Sequence, residues 1–157
     1  MTLEFNRILV PVIGDQVDEE AIHLACSMAH QSKDTVYVLY VIRVSRDLPL
    51  DAEITTASNR GEDVLQRMEE LGQKYKCKID AEILQAREIG PAIVDEAITR
   101  EVNMIIIGMT YEKQYGIFRL RGTVPYVLQH APCRVVVWRE EISRRNPPMT
   151  PEFEELK

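Results

Sequence analysis

The sequence predicts an α/β protein with a Rossmann-like, open, mostly parallel five-stranded sheet and helices on both faces. Three observations carry this. Strand-like and helix-like segments alternate as β-α-β-α-β-α-β-α-β, and helix-length crossovers between strands require parallel pairing with right-handed connections. The run Met104-Ile105-Ile106-Ile107 has no polar residue to show to solvent, which fits a strand covered on both faces. Gly108 ends that run and Gly122-Thr123 opens the next helix, at the carboxyl edge where such sheets hold ligands.

The elements follow in order. Arg7 to Val12 reads as the first strand, its apolar Ile8, Leu9 and Val10 leading into Pro11. Asp18-Glu19-Glu20 opens a helix in which Ala21, Ile22, Leu24, Ala25 and Met28 recur at helical spacing, and acids suit the positive end of its dipole. Thr35 to Ile42, β-branched and aromatic throughout, is the second strand. A polar segment with Pro49 runs from Arg43 to about Thr55 and leads to a helix from about Ala57 to Tyr75, with Val64, Leu65, Met68 and Leu71 on one face. Lys78 to Leu84 alternates as a half-buried strand does, which predicts an edge position. Pro91 stands near the start of a third helix carrying Ile93, Val94, Ala97 and Ile98. Met104 to Ile107 is the fourth strand, Thr123 to about His130 the last helix, and Arg134 to Trp138 the last strand. Residues 1–140 thus form one domain, and 141–157, with Pro147, Pro148 and Pro151, read as a polar tail.

Composition bounds the function. The chain has 157 residues, 45% hydrophobic and 28% charged, as one ordinary globular domain does. A formal charge of -6 argues against nucleic acid or anionic lipid as partner, because both need a concentrated cationic face. No window reaches the roughly 18 apolar residues of a membrane span, and Thr2 to Arg7 does not lead into a signal-peptide segment, so a cytoplasmic protein without membrane insertion is expected. Cys26, Cys77 and Cys133 are odd in number and scattered, which predicts buried or bystander thiols and neither a disulfide framework nor a zinc site.

Catalytic patterns are missing. His23 and His30 lack the i, i+4 spacing of a helical metal pair, and His130 falls at a helix end where the dipole favours its charge. There is no G-x-S-x-G elbow, no P-loop, and no G-x-G-x-x-G after the first strand. The expectation is therefore not an enzyme and no metal site. A phosphate site is the stronger reading, because Gly122 and Thr123 bring bare N–H groups and a hydroxyl to a helix start. Lys113, Arg119 and Arg121 crowd the adjoining loop, either as phosphate partners or as a solvated basic stretch. The apolar last strand, if it lies at an edge, invites two-fold pairing with a second copy.

Four segments point to a family: Ile8-Leu9-Val10-Pro11-Val12, Ile105-Ile106-Ile107-Gly108, Gly122-Thr123, and the exit His130-Ala131-Pro132-Cys133-Arg134-Val135-Val136-Val137-Trp138. Through them the chain, from about Asn6 to Arg139, resembles a universal stress protein domain, with its adenine nucleotide alpha hydrolase-like fold. The resemblance implies strand order 3-2-1-4-5, a homodimer through the last strand, and ATP or AMP at the carboxyl ends of strands 1 and 4, with Mg²⁺ only alongside ATP. It places Pro11, Val12, Ile13 and Val41 around the base, Gly108, Met109, Gly122 and Thr123 at ribose and phosphates, and Arg119 or Arg121 as helpers. Two positions depart from the family's nucleotide motif: Tyr111 replaces its second glycine in a loop one residue longer, and Ile13 replaces an acid after the first strand, where Asp15 is a shifted substitute. The implied role is a sensor or regulatory module in stress response, signalling through order in the loop from Met109 to Arg121. A member that binds no nucleotide and works through an unknown protein partner is the alternative, and a weak ATPase the third reading.

Overall fold

The structure is a computed structural model that describes residues 4–29, 34–111, 113–114, 117–118 and 122–142. In chain order it forms β1 (Arg7–Pro11), α1 (Gln16–Met28), β2 (Thr35–Arg43), α2 (Thr55–Lys74), β3 (Ile79–Ala86) and α3 (Ile89–Thr99). There follow β4 (Met104–Met109), β5 (Lys113–Gln114), β6 (Ile117–Phe118), α4 (Thr123–His130) and β7 (Arg134–Arg139). Five strands make one parallel sheet in the order β3-β2-β1-β4-β7, which is the predicted architecture. The short β5 and β6 pair antiparallel as a separate hairpin inside what the sequence reads as loop.

Alternation along the strands splits the interior into two cores. Ile8, Val10, Val36, Val38, Met104 and Ile106 face α1 and α2, where Ile22, Leu65 and Met68 meet them. Leu9, Leu39 and Ile105 face the other way, onto Ile93, Val94 and Ala97 of α3 and Val127 of α4. β3 lies at a sheet edge, as its alternation predicts, and β7 lies at the other.

At the amino ends of the strands one arginine gathers three elements. Arg100, just after α3, reaches Glu96 at 2.8 Å and Glu82 of β3 at 2.5 Å, while its carbonyl accepts from the guanidinium of Arg7 in β1. Both guanidinium groups lie 5.3 Å from the Tyr37 ring of β2, so charge pairing and cation–π contact close this end of the sheet.

The opposite end opens. β1 pairs with β2 from Arg7↔Thr35 to Pro11↔Leu39, but with β4 only at Ile8↔Met104 and Leu9↔Ile105. Beyond those two pairs β1 and β4 part. This is the point where strand order reverses, and in such sheets the crevice there is the favoured ligand position. Among the described residues no helix is long and apolar enough to cross a membrane.

Candidate functional site

The crevice is built from the turn after β1. Val12 donates its N–H to the Leu39 carbonyl at 2.9 Å and is 2% exposed, and Pro11 is buried too, so the side chains of both lie in the interior. Ile13 is turned out, 57% exposed, and gives the rim an apolar surface. The chain then turns through Gly14 and enters α1 with Asp15 at the cap position.

Asp18, in the first turn of α1, is the residue that organises this turn. Its Oδ2 accepts from the backbone N–H of Ile13 at 2.8 Å, Gly14 at 2.9 Å and Asp15 at 3.1 Å, and it is 2% exposed. Three successive N–H groups converging on one point make an anion-binding hollow, and the protein fills it with its own carboxylate. Burial pushes the Asp18 carboxyl above the usual aspartate range, against the three hydrogen bonds that hold it down. Sequence reasoning assigns Asp18 only to the helix dipole. The missed signal is Asp15-x-x-Asp18, the spacing at which a third-position acid reaches back to the cap backbone.

Gly108 of β4 stands directly against this group. A Cβ there would come within 3.0 Å of Asp18 Oδ1 and 3.3 Å of Val17 Cγ1, so the bare backbone is what lets the first turn of α1 pack closely on the end of β4. From α2, Arg67 donates to the Gly14 carbonyl at 2.8 Å and pairs with Glu19 at 3.1 Å, holding the turn from outside.

Val41 borders the crevice from β2. Thr35 donates to Asn6 on the β1 side while Val36 and Val44 bond toward β3, so odd-numbered residues of β2 turn their peptide groups toward β1. Since β1 ends opposite Leu39, the N–H and C=O of Val41 face the space past its end. Its side chain packs with the α3 core.

On the far side, Met109 pairs with Arg139, and its carbonyl accepts from Glu140 N–H at 2.8 Å. Tyr111, the residue in place of a motif glycine, donates its N–H to Glu140 Oε1 at 2.7 Å, and its ring lies 5.4 Å from the Arg139 guanidinium. The tyrosine is thus tied to the end of β7. Gly122 caps α4 with φ 72° and ψ -118°, a conformation for glycine alone, and a Cβ there would meet nothing within 4 Å. Backbone conformation, not crowding, requires this glycine. Pro125 lacks an N–H and no side chain caps the helix among the described residues, so the first N–H groups of α4 belong to Gly122, Thr123 and Val124. The crossover from β4 to β7 puts this helix start at the carboxyl edge of the sheet.

The structure therefore brings Pro11, Val12, Ile13, Val41, Gly108 and Met109 to neighbouring strand ends, with Gly122 and Thr123 at the same edge. Arg119, Arg121, Gly116 and His30 lie outside the described residues, as does the tail beyond Ile142. His23 stacks on Tyr75 at 4.2 Å and His130 on Tyr126 at 4.1 Å, so both are packing residues. No group of three metal-ligating side chains stands among the described residues.

Comparison with known proteins agrees with this architecture. The family model described as the universal stress protein family matches residues 4–139. A universal stress protein of Methanocaldococcus jannaschii is 25% identical over 139 residues, covering 85% of this chain and 81% of its own. Among solved structures, the universal stress protein UspA from Lactobacillus plantarum superposes with a TM-score of 0.68 at 22% identity, covering 88% of this chain and all of that one. The universal stress protein from Archaeoglobus fulgidus in complex with dAMP gives 0.68 at 18% identity, with coverage of 86% and 98%. On the match across residues 4–139, this chain belongs to the universal stress protein family.

Proposed function

We propose that this protein binds an adenine nucleotide, ATP or AMP, in the crevice between the ends of β1 and β4, and acts as a sensor or regulatory module rather than as an enzyme. The observation that carries the reading is the parting of β1 and β4 after Leu9 and Ile105, which separates the two strand ends beside exposed Ile13. The Val41 peptide group would read the adenine edge, with Pro11 and Val12 backbone and the Ile13 side chain against the ring. Gly108 and Met109 would flank the ribose. Gly122 and Thr123 would hold phosphate at the positive end of α4, with Arg119 or Arg121 assisting. The relative described with dAMP supports the ligand class. Mg²⁺ enters only with ATP, carried by its phosphates.

Calorimetry with AMP and ATP tests the proposal. Binding is expected, and Gly122→Asp should weaken it by about tenfold or more, since an aspartate there opposes phosphate and strains the backbone. Gly122→Ala, with strain but no charge, should lose less. Absence of heat at millimolar nucleotide would end the nucleotide reading. It would leave the second one, a domain working through protein contacts alone, which is favoured by the Asp18 carboxylate already seated in the anion hollow.

The same proposal includes a homodimer through β7. This strand lies at the sheet edge, with Val135, Val136, Val137 and Trp138 only partly covered. Glu140 donates toward β4, so by alternation Val135 and Val137 point their N–H groups outward, free to pair with a second β7 across a two-fold axis. Val137→Pro removes one such donor and spares the β4 ladder. Light scattering should report a dimer for the wild type and a monomer for the variant; a wild-type monomer at tens of micromolar overturns the interface.

A further inference from the structure

Spacing alone pairs none of the three cysteines, but the fold brings two of them together. Cys26, in the last turn of α1, is 6% exposed within the core beneath α1 and α2. Cys77, in the turn from α2 to β3, is half-buried and packs on the same core, and its Sγ lies 4.0 Å from the Lys78 carbonyl oxygen. The turn is firmly held. Cys77 donates its N–H to the Gly72 carbonyl at 2.8 Å, and two residues earlier the Tyr75 ring stacks on His23 of α1 at 4.2 Å with an interplanar angle of 5°.

We propose that Cys26 and Cys77 are a redox-modification site, at which a hydroperoxide converts the two thiols into one intramolecular disulfide. Cys77 is the attacking member because solvent reaches it, and Cys26 is the resolving member because it is buried in the core that Cys77 borders. Thiol contact reinforces these roles: the hydrogen bond from Cys26 lowers the Cys77 thiol below the usual cysteine range and raises that of Cys26. Cys133, half-buried on the other core, has its thiol pushed up by burial and is the built-in control.

The chemistry balances in two steps. The Cys77 thiolate attacks the outer oxygen of the hydroperoxide, an S–O bond forms as the O–O bond breaks, and the leaving alkoxide or hydroxide takes up a proton. Cys26 sulfur then attacks Cys77 sulfur, the S–S bond forms as S–O breaks, and the released hydroxide takes the Cys26 proton to leave as water. Two thiols lose two electrons, and the peroxide gains them.

The test is hydrogen peroxide treatment of the full chain, alkylation of remaining thiols, and mass mapping without reduction. The expected result is a mass lower by two hydrogen atoms, a linked pair of peptides carrying Cys26 and Cys77, Cys133 still alkylated, and full reversal by dithiothreitol. Cys26→Ala should stop at a Cys77 sulfenic acid that dimedone traps. Linkage through Cys133, a covalent dimer, oxygen retained on Cys77 of the wild type, or no oxidation each overturns the proposal. Should Cys26→Ala fail to fold, the wild-type map still decides.

Discussion

Asp18→Ala should destabilise the protein by about 3 kcal/mol, because it strips one acceptor from three backbone donors at once. For a chain of this length that is a fall in thermal midpoint of roughly 10 °C, readable by calorimetry or circular dichroism. Asp18→Asn keeps the shape and one acceptor oxygen, and about half that loss is expected. The two variants also separate by pH. Since burial holds the Asp18 pKa above the ordinary 3.8, the folded protein keeps a proton that the unfolded chain has already released. The contribution of this carboxyl is fully present below 3.8 and is lost as pH rises through the folded value. The margin of wild type over Asp18→Asn should therefore widen on acidification from neutral pH. A margin that narrows would mean that the three N–H groups outweigh desolvation.

Gly108→Val is the second large effect. Its first added atom already falls 3.0 Å from Asp18 Oδ1, and a branched side chain would push into Val17 as well, so either the β4 end or the first turn of α1 must move. A loss of about 3 kcal/mol is expected, with Gly108→Ala near 1 kcal/mol. Nucleotide affinity should fall with them, since both walls of the crevice shift. A double-mutant cycle is the sharper measurement. Gly108→Ala should cost less when Asp18 is already alanine, because the colliding carboxylate is gone. Strict additivity would show that the glycine is needed for something other than this contact.

How far the sequence reveals this arrangement depends on the range of the interaction. The four-residue apolar run of β4 and the alternation in β3 are local patterns, and both lead to the correct position in the sheet. α2 begins at Thr55, two residues before the expected start near Ala57: its cap position is Ile54, which has no capping side chain, while the cap-type residues Thr55 and Thr56 lie inside the helix. β5 and β6, at two residues each, are too short for any periodicity to register. At the site, the glycines are legible as types but not as roles. Gly122 serves the backbone and Gly108 serves a contact with another element, and only coordinates separate the two. Val12 is predicted beside a base, yet its side chain lies in the core and only its backbone reaches the rim. Asp18 has a local signature that is easily read as mere helix-end charge, whereas the placing of Cys26 and Cys77 on one core depends on packing that no spacing encodes.

Arg67 ties the α2 helix to the turn after β1. Its ion pair with Glu19 is half in solvent and is worth little to stability. The hydrogen bond to Gly14 nonetheless ties the ligand rim to a helix on the outer layer. Whatever leans on the outside of α2 thereby has a lever on the posture of the turn after β1.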